Sequence, residues 1–151
     1  MSSLRCDDLT LIGALKLADF GLCKRFTAVG ACDFDAVCGT VDYFAPELAL
    51  NFAAHLASKP PVRYSAAVDC WALGCLVYEL YYGQPPFAAG SDEETLALIS
   101  PPKGQADLKH IRAIHMSKEG KDFLARLMTV DAKKRMGAEV SGGYDLCVAV
   151  A

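Results

Sequence analysis

The sequence predicts a mostly helical protein with a short pair of strands at its start. Stretches of helical spacing are separated by proline pairs, which cannot continue a helix. Near the beginning of the chain, two short apolar runs lie on either side of a single glycine, a pattern typical of a tight strand pair. Hydrophobic residues make up 53% of the 151 residues and charged residues 22%, which favours one compact domain or one lobe of a larger one.

The first third of the chain combines this strand pair with a loop and a short helix. The predicted strands are residues 9–12 and 14–18, and residues 19–38 are predicted to be a loop because they show no sustained periodicity. Residues 48–56 predict a short helix. The stretch Lys59-Pro60-Pro61 then excludes its continuation.

The longest predicted helix covers residues 66–82. Ser65 can cap its beginning, and Gly83 is a typical stop signal at its end. Because this segment is apolar on nearly all sides, we expect it to be a buried central helix. Pro85-Pro86 ends the element.

Two shorter helices follow. Ser91 and Glu94 form a capping box, in which the serine hydroxyl accepts from the Glu94 amide and the Glu94 carboxylate accepts from the Ser91 amide. This helix should end near Ser100. Ser117 can cap the last helix. The apolar face of that helix is predicted to consist of Phe123, Leu124, Leu127 and Met128.

Charge and cysteine usage argue against several classes of protein. The net charge of -3 gives no basic field for nucleic acid or an anionic membrane, and we expect neither as a partner. The 7 cysteines are odd in number and scattered, so we expect reduced, mostly buried thiols rather than a disulfide framework. With neither a secretory signal nor an apolar stretch long enough to cross a bilayer, the sequence favours an intracellular, cytoplasmic location.

Four motifs occur in a fixed order along the chain. The first is Asp19-Phe20-Gly21, directly after the second predicted strand, and the second is Cys-Gly-Thr-Val-Asp-Tyr-Phe-Ala-Pro-Glu at residues 38–47. The third occupies residues 64–87, and the fourth is Lys-Arg-Met-Gly at residues 134–137. Over residues 13–146 the chain resembles the C-terminal lobe of a eukaryotic serine/threonine protein kinase domain. The motif sequences are most similar to those of the AGC group, which includes the cAMP-dependent kinases.

The resemblance implies a partial protein kinase domain over residues 1–151, with the N-terminal lobe absent. Residues 9–21 would contain the strand pair and the Asp-Phe-Gly motif, residues 19–47 the activation segment, and residues 64–146 the helical lobe. It also implies ATP and Mg²⁺ as cofactors and protein substrates as partners.

Four residues near the nucleotide take their expected roles from the resemblance. Asp19 would coordinate Mg²⁺, because a carboxylate is a suitable hard ligand for that ion. Phe20 would help to determine whether the site has active or inactive geometry, and Gly21 would be the hinge. Thr40 would position the catalytic aspartate.

Further residues would bind the substrate. Val37, Val41 and Phe44 lie where the family lines the pocket for the residue after the phosphoacceptor, although plain core packing explains them equally well. Asp42 and Glu79 match positions that contact basic substrate residues in AGC kinases. They imply a preference for substrates with arginine upstream of the acceptor. As an alternative, both are solvated surface acids.

Three residues are expected to be structural. Glu47 and Arg135 resemble the family's buried ion pair, which ties the activation segment to the lobe. Asp69 resembles the helix aspartate that holds the catalytic loop through hydrogen bonds.

Several family features are absent from this sequence. It contains no Gly-rich loop, no strand lysine and no His-Arg-Asp motif, and Cys6, a poor ligand for Mg²⁺, stands near the position of the second metal ligand. We therefore expect the isolated chain to be inactive, with the N-lobe supplied by upstream sequence. Ala36 replaces the usual phosphorylatable threonine, and Asp33 and Asp35 beside it could partly supply the phosphate charge. The alternative function is a non-catalytic, pseudokinase-like binding module for protein substrates.

Overall fold

The computed structural model describes Gly21 and residues 39–56, 64–100 and 116–137. In these residues the chain is mostly helical, as predicted, and contains no sheet. A short 3-10 turn, Val41–Tyr43, precedes four α-helices. The strand pair and the loop predicted for residues 9–38 lie outside the described ranges, apart from Gly21.

The first helix, α1, covers Pro46–Leu56 and begins two residues before the predicted start. Pro46 occupies the first helical position, where its missing N–H costs nothing and its fixed φ suits a helix. The prediction overlooked this role and treated proline only as a residue that ends a helix. The proline pair expected to follow this helix lies outside the described residues.

The central helix, α2, covers Ala67–Tyr82, within one residue of the prediction. The amide of Ala67 donates to the Ser65 hydroxyl at 3.3 Å, although the capping position itself is Ala66. At the other end Gly83 has a φ of 80°, in the left-handed region that glycine adopts without strain, and its amide donates to the Glu79 carbonyl at 2.7 Å.

One side of α2 forms the centre of the core, but the expectation that the helix is buried all round is wrong. Trp71 and Cys75 are fully buried, together with Tyr78. The opposite side carries large apolar side chains that are between 39% and 55% exposed, namely Leu73, Leu76 and Leu80. The 3-10 turn and the last helix contact α2, and a uniformly apolar sequence does not reveal which side they cover.

The third helix, α3, covers Asp92–Ile99 and is capped as predicted at the hydroxyl of Ser91, which accepts from the Glu94 amide at 3.2 Å. The reciprocal bond differs from the prediction, because the Glu94 carboxylate accepts from the Gly90 amide at 3.0 Å. The hydroxyl of Ser100 donates to the Pro46 carbonyl at 3.0 Å and so joins the end of α3 to the start of α1.

The fourth helix, α4, covers Lys118–Leu127 and is capped by Ser117, whose hydroxyl accepts from the Gly120 amide at 3.1 Å. The predicted apolar face is buried at Leu124, Leu127 and Met128. Phe123 is exposed, so its assignment to this face is wrong. A helical position next to an apolar stripe can still project into solvent.

A close approach between α2 and α4 depends on Gly74. A Cβ atom at this position would lie 2.6 Å from Met128 Cγ and 3.2 Å from Leu127 Cβ. Any side chain at residue 74 would therefore collide with the α4 side of the core. This contact fixes α4, and the turn that follows it, against the central helix.

Candidate functional site

The segment from Thr40 to Glu47 leads from the exposed surface into α1. Its turn is closed by two backbone hydrogen bonds, from the Tyr43 amide to the Thr40 carbonyl at 3.1 Å and from the Phe44 amide to the Val41 carbonyl at 3.0 Å. Thr40 is exposed, whereas Val41 and Phe44 are buried. We call residues 40–47 the docking segment.

The buried side chains of the docking segment pack into the main core. Val41 and Phe44 belong to the same buried cluster as Trp71, and the Phe44 ring lies 6.3 Å from that of Phe52. Both residues therefore pack into the core in this structure, which is one of the two predicted explanations. Their contribution to a substrate pocket stays a prediction, and Val37 lies outside the described residues.

Arg135 anchors the C-terminal end of the docking segment. Its guanidinium makes a bidentate ion pair with Glu47, at 2.7 Å from Nη1 to Oε1 and 3.0 Å from Nη2 to Oε2. The family resemblance predicted this pair, although its two residues are 88 positions apart in the sequence. The Arg135 side chain is 0% exposed and that of Glu47 is 16% exposed. A planar guanidinium fits a carboxylate in this way because two parallel N–H bonds match its two oxygens.

Backbone carbonyls use the remaining donors of Arg135. Nε donates to the Thr129 carbonyl at 2.8 Å, Nη1 to the Ala67 carbonyl at 2.8 Å and Nη2 to the Val130 carbonyl at 3.2 Å. All five N–H groups of the guanidinium are thus paired, which is what a fully buried charge requires. The side chain joins the starts of α1 and α2 to the turn after α4.

Trp71 forms the apolar wall of this site. The Arg135 guanidinium carbon lies 5.2 Å from the centre of the indole ring, in the range of a cation–π contact. Phe87 stacks with the same indole, at 5.9 Å between ring centres and 10° between planes. Trp71 is a core residue, and it packs beside the buried ion pair.

Tyr43 and Glu79 form a second anchor that the sequence analysis missed. The Tyr43 hydroxyl donates to Glu79 Oε2 at 2.6 Å and joins the docking segment to α2. This hydrogen bond, together with burial, raises the pKa of Tyr43 from 10.0 to about 12. Tyr43 therefore keeps its proton at neutral pH. The two residues are 36 positions apart and share no local pattern, so the sequence carried no signal for the contact.

The two acids predicted to bind basic substrates lie on the docking segment and on α2. Asp42 is in the 3-10 turn, next to Tyr43, and is partly exposed. Glu79 is also partly exposed and is held by Tyr43, so it is not simply a solvated surface acid. The two positions thus lie on neighbouring elements, since the 3-10 turn contacts α2.

The residues expected on the nucleotide side lie mostly outside the described part of the chain. Asp19 and Phe20 lie outside the described residues, and Gly21 is described and exposed. Asp69 lies in the first turn of α2, is partly buried and has an interaction partner, while its expected contact with a catalytic loop is untested. Among the described residues, no cluster of His, Cys, Asp and Glu side chains could hold a metal ion.

Both cysteines in the described part of the chain, Cys70 and Cys75, are free thiols. Burial raises the pKa of the Cys75 thiol to about 12, so this residue is an inert core side chain. In the ranges that the structure describes, no helix is long and apolar enough to cross a membrane.

Comparison with known proteins decides the family. Residues 8–141 match the model of the protein kinase domain. The chain belongs to the protein kinase family. The resemblance to a serine/threonine kinase domain of the AGC type, based on the motifs, is confirmed. Protein kinases as a family use ATP and Mg²⁺ and act on proteins.

Individual relatives agree with this assignment. Protein kinase C-like 1B of Caenorhabditis elegans is 36% identical over 146 residues, which are 94% of this kinase chain and 18% of that protein. Developmentally-regulated protein kinase 1 of Dictyostelium discoideum is 40% identical over 136 residues, 89% of this chain and 16% of that protein. A human SNF-related serine/threonine-protein kinase is 36% identical over 128 residues. The chain thus spans less than a fifth of the length of these relatives.

Proposed function

We propose that the complete protein transfers the γ-phosphoryl group of ATP to serine or threonine hydroxyls of protein substrates. In this proposal the docking segment and α2 together form the surface that receives the substrate. One observation supports it most strongly, namely that the docking segment is anchored at two points, by Arg135 at its last residue, Glu47, and by Glu79 at Tyr43 in its middle. A fixed segment can hold a peptide without paying its ordering entropy at each binding event.

The residues closest to the chemistry are assigned by family resemblance. Asp19 would hold Mg²⁺, which neutralises phosphate charge when bound, and Phe20 and Gly21 would complete the nucleotide side of the site. Thr40 would position the catalytic aspartate, and its exposed place at the start of the docking segment leaves its side chain accessible to a neighbouring loop. Val37, Val41 and Phe44 would receive the residue after the phosphoacceptor.

A preference for basic substrates is part of the same proposal. Asp42 and Glu79 bring two carboxylates to neighbouring elements, and Tyr43 uses one oxygen of Glu79. A carboxylate has about four acceptor positions, so Glu79 can accept from a substrate donor as well. An arginine upstream of the phosphoacceptor can supply the N–H donors that these carboxylates accept from.

The isolated chain should not turn over, because this sequence contains no His-Arg-Asp motif and no strand lysine. That absence is the observation that favours the second candidate, a non-catalytic binding module for protein substrates. Both candidate functions use the same surface, formed by the docking segment and α2, and they differ only in phosphoryl transfer. The fold of the described residues fits both.

Phosphate transfer by the product of the complete transcript is the deciding assay. The protein and its Asp19→Asn variant are incubated with labelled ATP and serine peptides that contain arginine or norleucine upstream. We expect labelled arginine peptide from the unaltered protein and none from the variant. The matched control is Asp122→Asn, an exposed acid outside the four motifs, which should keep full activity. If the complete protein binds the arginine peptide but transfers no phosphate, the binding module replaces the kinase proposal.

A further inference from the structure

An aromatic stack lies at the end of α2, and its two tyrosines precede and follow Glu79 in the sequence. Tyr78 and Tyr82 lie with their ring centres 4.6 Å apart and their planes within 9°. Tyr78 is buried, whereas Tyr82 is 43% exposed. The inner tyrosine therefore supports the outer one, and part of the outer ring remains open to solvent.

Helix geometry places this ring beside Glu79. Successive helical residues are about 100° apart around the axis, so Tyr82 lies about 40° from Tyr78 and about 60° from Glu79, between the two. Side chains at this spacing are neighbours, at roughly 5–6 Å between Cβ atoms. Helical side chains also point back toward the N-terminus, which brings the Tyr82 ring over the turn that contains both residues. One face of the Tyr82 ring stacks on Tyr78, the residue directly before Glu79.

A carboxylate next to an open aromatic face is suited to a guanidinium group. The planar guanidinium can donate to a carboxylate along its edge and stack on an aromatic ring with its face. A lysine ammonium is compact and strongly hydrated, and gains less from such a ring. The two rings are already stacked, so little side-chain freedom is lost when the ligand binds.

We propose that Tyr82 forms the aromatic wall of an arginine subsite whose acid is Glu79, and that it makes the protein prefer arginine to lysine. The inference rests on the proposed function, which provides Glu79 as the acidic residue. That function names no residue that distinguishes an arginine side chain from a lysine side chain. Tyr43 fixes the carboxylate on one side, and Tyr82 covers the ligand on the other. Tyr82 is thus a specificity-determining residue.

The neighbouring tyrosine provides a matched control. Tyr81 is 57% exposed, so it resembles Tyr82 in chemistry and in accessibility. Tyr81 lies about 100° from Tyr82 and about 160° from Glu79 around the helix axis, which places it on another side of the helix. Replacement of Tyr81 should leave binding at Glu79 unchanged.

The test measures dissociation constants of the full 151-residue chain for fluorescent serine peptides by anisotropy. The peptides are identical except for one upstream residue, which is arginine, lysine, citrulline or norleucine. We expect the unaltered chain to bind the arginine peptide roughly two- to fivefold more tightly than the lysine peptide, the size of an exposed cation–π contact. Tyr82→Leu should remove that difference by weakening only the arginine peptide. Tyr82→Phe and Tyr81→Leu should preserve it.

Each other outcome has a definite meaning. If Glu79→Gln weakens both basic peptides while Tyr82→Leu leaves their ratio unchanged, the tyrosine subsite is refuted and the proposed substrate preference stands. Equal binding of arginine and lysine peptides by the unaltered chain refutes the subsite without any variant. If norleucine or citrulline peptides bind as tightly as the arginine peptide, the preference for basic substrates is refuted, and the subsite with it.

Discussion

Replacing Glu47 by glutamine tests whether the buried ion pair anchors the docking segment. The substitution keeps the shape of the side chain but removes its charge, and it turns an amide toward the guanidinium. Arg135, which is 0% exposed, then loses its counter-ion together with at least one of its two charge-assisted bonds. Removing one partner of a buried pair typically costs about 3–5 kcal/mol.

The structure favours the lower end of this range. The Glu47 side chain is 16% exposed, so water can reach the edge of the altered site, and the three backbone carbonyls still accept from Arg135. We therefore expect a loss of about 3 kcal/mol in the free energy of unfolding, which lowers the ratio of folded to unfolded chain by roughly a hundredfold. For a domain with typical total stability of about 5–15 kcal/mol, this is a large fraction.

Urea denaturation measures this loss directly. The chain has a single tryptophan, and its indole lies beside the ion pair, so its fluorescence reports unfolding at this site. With a typical denaturant slope of about 1–3 kcal/mol per M, the midpoint should fall by about 1–3 M. The control is Asp122→Asn, which breaks an exposed pair with Arg126 at 3.6 Å and should cost about 0.5 kcal/mol or less. Equal midpoints for the two variants would refute the reasoning.

Three smaller predictions concern other contacts. Gly74→Ala should cost about 1–3 kcal/mol in urea denaturation, because the new Cβ meets Met128 Cγ at 2.6 Å; an unchanged midpoint would contradict this packing. The raised pKa of Tyr43 predicts a contribution to stability that is complete below pH 10 and is lost as pH rises toward 12, since the unfolded chain ionises first. Tyr43→Phe should lack that loss, which alkaline denaturation followed by tyrosinate absorbance can show. Ser91→Ala should cost about 1 kcal/mol in thermal denaturation, whereas Ser91→Asp, which accepts the same bond, should cost little.

The helices could be predicted from the sequence because their signals are local. Gly83 ends α2 as predicted, and Ser91 and Ser117 cap α3 and α4 through their hydroxyls. Local reasoning becomes less accurate where several donors compete within one turn. The Glu94 carboxylate selects the Gly90 amide rather than that of Ser91, and periodicity could not distinguish these two neighbouring groups.

The arrangement of the site was less predictable, because it depends on contacts between distant segments. The pairing of Glu47 with Arg135 could be inferred only from family motifs, since 88 residues separate the two. The bond between Tyr43 and Glu79 joins residues of the second and third motifs, but the motifs did not indicate that these two side chains meet. Burial failed for a related reason, since Phe123 has the spacing of a core residue and yet lies in solvent. A pattern identifies a possible apolar face, and only packing decides what covers it.

The two anchors of the docking segment both depend on α2, but at opposite ends of that helix. Arg135 binds the carbonyl of Ala67 at the start, and Glu79 receives Tyr43 near the end. Trp71 lies between Ala67 and Glu79 in the sequence. It is fully buried, and its ring packs against the Arg135 guanidinium. Because a helix transmits displacement along its length as a stiff body, a cavity at Trp71 should disturb both anchors, whereas loss of Tyr43 should release only one. The central helix therefore determines the geometry of the proposed substrate surface, although the residues proposed to touch the substrate lie mainly in the segment that it holds.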